Sequence, residues 1–188
     1  MRIAVASDHA GYELKERVVE ALRALGHEAR DFGTEAAQPS VDYPDYAYPA
    51  SRSVANGECE RGVLVCGSGV GMCIVSNKVP GVRAVLGPDP YAVEMSRRHN
   101  DTNVLCLGAR SAGDRDLSGL LKMWLETAFE GGRHERRVKK IAEGERTSVA
   151  SSAILAVGGV PAPRDPDPKS QIPTKSQIPA RAPPATQV

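Results

Sequence analysis

The sequence has no long apolar run, and this absence argues against a membrane protein. Nowhere do the 188 residues approach the roughly 20 consecutive apolar residues that a transmembrane helix requires. The opening letters MRIAVASDHAG also lack the long apolar stretch behind a basic start that marks a secretory signal. We therefore expect a soluble, cytoplasmic protein with no membrane partner.

The chain also lacks a charge excess and paired cysteine motifs. Lys and Arg number 24 against 23 Asp and Glu, so no overall field favours nucleic acid or an acidic membrane. No aromatic residues are interleaved with the basic run near 133–140, so we expect no nucleic-acid partner. The four cysteines form no CxxC pair, which favours reduced thiols. Cys66 and Cys73 are spaced unsuitably for zinc, so we expect buried apolar thiols and no metal.

Short apolar runs alternate with amphipathic stretches through most of the chain, as strands alternating with helices do. The predicted strands are residues 3–6, 27–32, 63–66, 82–86 and 104–107. The predicted helices lie near 14–25, 45–56, 69–77, 90–100 and 114–129. This pattern predicts an α/β fold, a three-layer sandwich around a mainly parallel five-stranded sheet of Rossmann-like type. In such a sheet, ligands bind beyond the carboxyl ends of the strands.

The composition changes after residue 147. Residues 148–188 are rich in proline, and the letters KSQIP occur at 169–173 and again at 175–179. Such a segment buries too little apolar surface to offset the entropy of ordering it. We therefore predict one catalytic domain over 1–147 and a disordered, Pro-rich tail over 148–188, with a docking peptide as the alternative.

The strongest local signal is CGSGVG at residues 66–71, where a buried strand ends and a helix begins. Glycines there allow backbone N–H groups to turn toward an anion, and the helix start adds partial positive charge. Met72 replaces the last glycine of a dinucleotide fingerprint, and the Lys of a P-loop is absent. A thiol at a helix start can act as a base or nucleophile, which makes Cys66 a candidate. The simpler alternatives are a tight turn and a small buried residue.

Other polar side chains follow the predicted strands or end a predicted helix. Asp8 and His9 come directly after the first strand, where Asp8 could instead cap a helix and His9 could lie on the surface. His99 and Asn100 come near a helix end, where histidine is often only a favourable charge. Each of these residues is ambiguous when taken singly.

Three arginines are candidate anion ligands. Arg110 follows the fifth strand, and Arg133 and Arg137 lie four residues apart, hence on one helix face. A solvated basic surface is the usual explanation for such a pair.

Taken together and in this order, six motifs resemble the type B ribose-5-phosphate isomerases and their lactose- and allose-pathway relatives. They are DHAGYELK at 8–15, DYPDYA at 42–47, CGSGVGM at 66–72, NKVPGVRA at 77–84, RRHNDTNVLCLGAR at 97–110 and EGGRHERRV at 130–138. The resemblance covers about residues 1–145. It implies an aldose–ketose isomerase of the pentose phosphate pathway that interconverts ribose 5-phosphate and ribulose 5-phosphate through an enediolate, without metal or organic cofactor.

The resemblance also implies roles in catalysis. Cys66 would be the base at carbon, while Ser68 and the loop N–H groups would steady the enediolate oxygens. Asp8 and His99 would move oxygen protons during ring opening, with Asn100 assisting. The glycines of that loop are Gly67, Gly69 and Gly71.

The resemblance assigns the phosphate group to cationic and histidine side chains, for which planar guanidinium groups are well suited. These residues are His9, Arg110, Arg133 and Arg137. Some members of the family lack the cysteine and carry a carboxylate at the position of Met72. Because Met72 cannot accept a proton, the base role falls on Cys66 in this chain.

Assembly and substrate are also implied by the resemblance. It implies a homodimer, or a tetramer, whose active site draws residues from both subunits. One alternative function is isomerisation of another sugar phosphate, such as allose 6-phosphate, galactose 6-phosphate or a tetrose phosphate. Another is a sugar-phosphate-binding regulator without catalysis, which the presence of Cys66 and His99 disfavours.

Overall fold

The structure is a computed structural model that describes residues 1–112 and 116–157. Residues Met1–Val149 form one unit. Among the described residues, no helix combines the length and apolar character that crossing a membrane requires. Residues 158–188, which make up most of the predicted tail, lie outside the described residues, and the domain boundary at 147 stays a prediction.

Five parallel strands form a single sheet, as the sequence predicts. The strands are β1 (Arg2–Ser7), β2 (Glu28–Asp31), β3 (Arg61–Cys66), β4 (Ala84–Leu86) and β5 (Val104–Gly108). Their order is β2-β1-β3-β5-β4, and each neighbouring pair is parallel. The central strand β3 is therefore flanked by β1 and β5, which places the ends of these three strands side by side.

Helices cover both faces of the sheet, which confirms the three-layer sandwich. They are α1 (Tyr12–Ala24), α2 (Tyr43–Ala55), α3 (Val70–Ser76), α4 (Pro90–Asn100), α5 (Ala109–Ala112), α6 (Leu117–Glu126) and α7 (Arg133–Val157). Apolar residues of α1, α4 and α6 form one core cluster with the sheet, and those of α2 and α3 form the other. Helix α7 continues ten residues past the predicted domain boundary at 147.

Two predicted elements begin two or three residues later in the structure. The strand predicted at 82–86 begins at Ala84, because the N–H of Val82 donates to Val79 O in a turn and that of Arg83 donates to the Asn103 side chain. The helix predicted at 114–129 begins at Leu117, where the Asp116 carboxylate accepts the N–H of Gly119 and caps it. Local side-chain hydrogen bonds therefore set both boundaries.

Helix α4 runs against the direction of the strands, because it connects two parallel strands, β4 and β5. It starts at the carboxyl end of the sheet, where the strands finish, and returns to the amino end, where they begin. There, Arg83 Nε donates to Asn100 O at 3.1 Å, just ahead of β4. The 11 residues of α4 span about 16 Å. The last residues of α4 therefore lie at the opposite end of the sheet from the last residues of β3.

Candidate active site

Cys66 is the last residue of β3, and its side chain is buried at the carboxyl end of the sheet. Its Sγ accepts a hydrogen bond from the backbone N–H of Gly69 at 3.1 Å. Ser68 is exposed between them, and its Oγ lies 3.4 Å from the N–H of Val70. The thiol, the hydroxyl and the loop N–H groups are thus combined in one strand-to-helix turn.

Close packing makes glycine necessary in this turn. Gly69 has φ +79°, and a Cβ there would lie 2.6 Å from Leu86 Cδ1 and 2.9 Å from the carbonyl carbon of Leu107. A Cβ on Gly71 would lie 2.9 Å from the ring of Tyr43. The tight turn that was the simpler interpretation of these glycines is therefore present, and Gly71 packs against the ring of Tyr43.

The Asp8–Gly11 segment approaches this turn from β1. Asp8 is buried, and its Oδ1 accepts the N–H of Gly11 at 2.9 Å, so it caps the short 3-10 turn His9–Gly11. This is the simpler role considered for Asp8 from the sequence. The Cβ of Ala10 lies 3.6 Å from the point where a Cβ on Gly67 would be. The segment therefore contacts the turn that holds Cys66.

His9 is held by the loop that precedes α2. Its Nδ1 lies 3.1 Å from the N of Val41 and 3.2 Å from the O of Val41, and its Nε2 lies 3.3 Å from Ser40 Oγ. These contacts fix the ring at the carboxyl end of the sheet, and its position is partly buried.

Arg110 brings a guanidinium group to the same place. Its backbone N–H donates to Gly67 O at 3.0 Å, and its Nε and Cζ lie 3.4 Å from the point where a Cβ on Gly67 would be. The carboxyl end of the sheet thus brings together eight of the twelve candidate residues. They are Asp8, His9, Cys66, Gly67, Ser68, Gly69, Gly71 and Arg110.

The remaining candidates lie at the amino end of the sheet. His99 and Asn100 end α4, and the N–H of Glu130 donates to Arg98 O at 3.0 Å, which fastens the segment before α7 to that helix end. Arg133 opens α7, and Arg137 follows one turn later. A single copy of the chain therefore does not place these four residues beside Cys66.

Two histidines stack at this second location. The rings of His99 and His134 are parallel to within 1°, with centroids 4.1 Å apart. Glu130 Oε2 lies 3.7 Å from the Nε2 of His99 and 3.8 Å from that of His134. Arg98 Nε donates to Glu130 Oε1 at 2.6 Å and lowers the pKa of that carboxyl.

Sequence reasoning missed Tyr43, Glu130 and His134. The i,i+4 spacing of Glu130 and His134 next to two arginines was the available signal, but it did not reveal that the end of α4 lies against these residues.

Burial lowers the pKa of His134, and the groups His99, Arg133 and Arg137 lower it further, whereas Glu130 raises it.

This histidine cluster is also a candidate metal site within the described part of the chain. One ligand atom each from His99, Glu130 and His134 lies within 4.8 Å of the others. However, parallel rings direct their in-plane lone pairs side by side instead of toward one point. Arg133 Nε also donates to the Nε2 of His134 at 3.2 Å. These residues therefore fit a metal ion poorly in this arrangement.

A second reactive thiol lies near Cys66. A hydrogen bond with Cys106 lowers the pKa of Cys73 to about 7, although partial burial acts in the opposite direction. Asn77 Nδ2 donates to Cys73 Sγ at 3.6 Å. Burial raises the pKa of Cys106 well above its ordinary value. Thiol reagents applied near neutral pH would therefore modify Cys73.

Comparison with known sequences identifies close relatives. Residues 3–141 match the family model described as Ribose/Galactose Isomerase. Ribose-5-phosphate isomerase B of Escherichia coli is 43% identical, over 77% of this chain and 97% of the relative. A putative sugar phosphate isomerase of Bacillus subtilis is 42% identical, over 79% and 100%. The D-erythrulose-4-phosphate isomerase of Pectobacterium atrosepticum is 36% identical, over 75% and 93%.

Solved structures agree with these matches. The ribose-5-phosphate isomerase B of Clostridium thermocellum has a TM-score of 0.75 at 46% identity, covering 79% of this chain and 99% of that one. The type B enzyme of Trypanosoma brucei has a TM-score of 0.73 at 43% identity, covering 76% and 97%. The Mycoplasma genitalium enzyme with bound ribulose 5-phosphate has a TM-score of 0.73 at 38% identity, covering 77% and 96%.

Proposed function

We infer that this chain, which belongs to the ribose/galactose isomerase family, is an aldose–ketose isomerase that interconverts ribose 5-phosphate and ribulose 5-phosphate. The Escherichia coli relative is named ribose-5-phosphate isomerase B, and the Mycoplasma genitalium structure has ribulose 5-phosphate bound. The observation that carries the proposal for this chain is the buried Cys66 thiol, 3.1 Å from a backbone N–H in a glycine turn. A base beside backbone donors is what proton transfer next to a carbonyl needs.

In the proposed reaction, Cys66 acts as thiolate and removes the proton from C2 of the open-chain aldose. The electrons of that C–H bond form the C1–C2 double bond while the C1–O1 π electrons move to O1, which gives the enediolate. The hydroxyl proton of O2 is transferred to O1, the C2–O2 carbonyl forms, and the proton is returned to C1 to give the ketose. The Ser68 hydroxyl and the N–H groups of the glycine turn would stabilise the oxygen anion. Asp8 and His99 would transfer the oxygen protons of ring opening, with Asn100 as a hydrogen-bond donor.

The phosphate group would be bound by His9, Arg110, Arg133 and Arg137. Arg110 stands beside Gly67, which puts one guanidinium group within reach of a substrate lying on the turn. Arg133 and Arg137 are exposed on the first turns of α7, and exposed guanidinium groups bind phosphate readily because they donate two parallel hydrogen bonds.

We further propose that a complete site needs two copies of the chain, as a homodimer or within a tetramer. His99 lies at the amino end of the sheet and Cys66 at the carboxyl end, separated by the length of α4, about 16 Å. One small sugar phosphate cannot bridge that distance. A second copy that presents its α4 end to the glycine turn would close the gap. Val70 and Ile74, apolar residues on α3 next to the turn, are 46% and 55% exposed, and exposed apolar side chains beside a site suit such an interface.

Mixing two inactive variants tests this division of the site. Cys66→Ala and His99→Ala should each be nearly inactive alone. After subunit exchange at equal amounts, roughly a quarter of the sites should combine an intact Cys66 with an intact His99 from different copies. Recovery of about that fraction of wild-type activity supports the proposal. If Cys66 and His99 of one copy served the same site, mixing would restore nothing.

The substrate is tested by a coupled isomerase assay with ribose 5-phosphate, allose 6-phosphate, galactose 6-phosphate and a tetrose phosphate side by side. We expect the highest kcat/KM with ribose 5-phosphate. The tetrose phosphate is the second candidate, because the Pectobacterium atrosepticum relative is named for one. Higher kcat/KM with a tetrose or hexose phosphate would reassign the substrate while leaving the reaction class intact.

A further inference from the structure

His134 makes two different contacts with residues of the proposed site. Its ring lies flat against that of His99, with centroids 4.1 Å apart and planes within 1°. Its Nε2 accepts a hydrogen bond from Arg133 Nε at 3.2 Å. The first contact is with His99, which is proposed to transfer protons. The second is with Arg133, which is proposed to bind the phosphate group.

The surroundings of His134 favour a neutral ring. Only 7% of its side chain is exposed, against 34% for His99. An Nε2 that accepts the Arg133 N–H carries no proton, which leaves the neutral form with the proton on Nδ1. Burial lowers the pKa of His134 most strongly. Of the titratable groups that face the ring, His99 from α4 and Arg133 and Arg137 from α7 lower it further, whereas Glu130 raises it.

A neutral His134 has a consequence for His99. Two protonated imidazoles at 4.1 Å would repel each other, so the pair carries at most one proton at modest cost. A neutral His134 therefore adds no positive charge beside the more exposed ring of His99. Glu130 Oε2, 3.7 Å from the Nε2 of His99, is a carboxylate held in place by Arg98 and faces the same ring.

We propose that His134 is a positioning residue for His99: its flat neutral ring fixes the orientation of the His99 imidazole so that His99 exchanges protons with the sugar. This inference rests on the proposed function. Orientation has a large effect on proton transfer, since a displacement of about 1 Å can change a rate by roughly 100-fold. His134 itself touches neither the substrate nor the reacting atoms in this proposal.

Two substitutions separate the two contacts of His134. His134→Phe keeps a flat ring against His99 but removes the acceptor for Arg133. His134→Gln keeps an acceptor for Arg133 but removes the ring. We expect His134→Phe to keep kcat within about twofold while KM for the sugar phosphate rises, and His134→Gln to lose about tenfold or more in kcat with little change in KM. His27→Gln, a histidine outside the site, is the matched control.

A merely structural role would not produce this crossed pattern. If both His134 variants lost kcat equally, or if His134→Gln kept normal kcat, the positioning role would be excluded. Thermal unfolding of each variant checks that the differences arise in folded protein.

Proton NMR of the protein without substrate tests the positioning role independently of the proposed function. The chain has four histidines, so the imidazole C–H signals are few, and a His99→Gln sample assigns the one from His99. In the wild type and in His134→Phe this signal should be shifted by the stacked ring, and in His134→Gln it should move toward the position of a free histidine. An unmoved signal overturns the positioning role even if isomerase activity is confirmed. A moved signal together with no isomerase activity would overturn the proposed function instead.

Discussion

The two ends of the sheet contribute to the proposed site with different kinds of groups. At the carboxyl end, a buried thiol and backbone N–H groups are fixed by glycines that nearby backbone and side chains leave no room to replace. At the amino end, the groups are the side chains of His99, Arg133 and Arg137, which are exposed or only partly buried. His99 and Arg133 both contact His134, and Glu130 lies 3.7 Å from His99. In the proposed function, the carboxyl end transfers the proton at carbon, while the amino end of another copy supplies His99 for oxygen protons and two arginines for the phosphate.

The largest expected effect is at the carboxyl end. Loss of a general base typically costs about 10²–10⁴-fold in rate, so Cys66→Ala should lose kcat to this extent while remaining folded and able to bind sugar phosphate. The assay is steady-state kinetics together with a binding measurement. Cys73→Ala is the matched control, since it removes the neighbouring thiol but not the proposed base. Near-normal turnover in Cys66→Ala would assign the role of the base to another residue, and Asp8 is the next candidate.

The rigidity of the glycine turn is tested by a second pair of variants. Gly69→Ala would strain a left-handed residue by about 1–2 kcal/mol and would force a Cβ into the Leu107 backbone, an overlap that typically costs about 1–3 kcal/mol more. Gly26 has the same φ of +79° but nothing within 4 Å of its missing Cβ, so Gly26→Ala should suffer the strain alone. Urea unfolding of both compares the costs. Equal losses of stability would mean that the turn adapts.

At the amino end, the expected effect is on binding. Arg133→Ala or Arg137→Ala should each remove a charge-assisted contact of about 1.5–3 kcal/mol, which is measured as a raised KM with a smaller change in kcat. Arg136→Ala removes an equally exposed arginine from the same helix and should leave KM unchanged. If KM were the same in all three variants, Arg133 and Arg137 would form only a solvated basic surface, which is the simpler interpretation.

The smallest expected effect is a difference in alkylation rate between Cys73 and Cys106, whose thiols are hydrogen-bonded to each other. Because the pKa of Cys73 is lowered to about 7 and the thiolate is the reactive form, its alkylation rate should rise as pH increases through about 7 and should be slow at pH values well below that. Mass spectrometry of the modified peptides follows the rate. Cys106, whose pKa is raised by burial, should stay unmodified over that range. A Cys73 profile that rises only in the ordinary range of a free thiol would contradict the role of the Cys106 hydrogen bond.

Most of the fold could be predicted from the sequence, because the strands are short, apolar and separated by helical spacing. The runs at 63–66 and 104–107 became β3 and β5, each extended by only one or two residues. Strand order was beyond the sequence, since it depends on which strands pair across long separations. The start of β4 was also missed, because the side chain of Asn103, 20 residues away, takes up the N–H of Arg83.

The candidate site was predictable as a set of residues but not as an arrangement. Cys66 ends a predicted strand, and Ser68 and Arg110 follow strand ends. That position alone places them at the carboxyl end of the sheet. His99 was grouped with them by resemblance, whereas the direction of α4 places it at the far end. The only sequence signal for His134 was its spacing of four residues from Glu130, because its contact with His99 forms only in the folded chain. The assignment of these residues to one active site stays a prediction.

The path of α4 from one end of the sheet to the other has a consequence for how activity depends on protein concentration. A site divided between two copies exists only in the associated form, so its abundance obeys mass action. On dilution below the dissociation constant of the assembly, activity per chain would fall, and substrate that contacts both copies would draw them back together. After dilution the rate would then decline with time, and saturating sugar phosphate would suppress this decline, a behaviour that a site confined to one chain would lack.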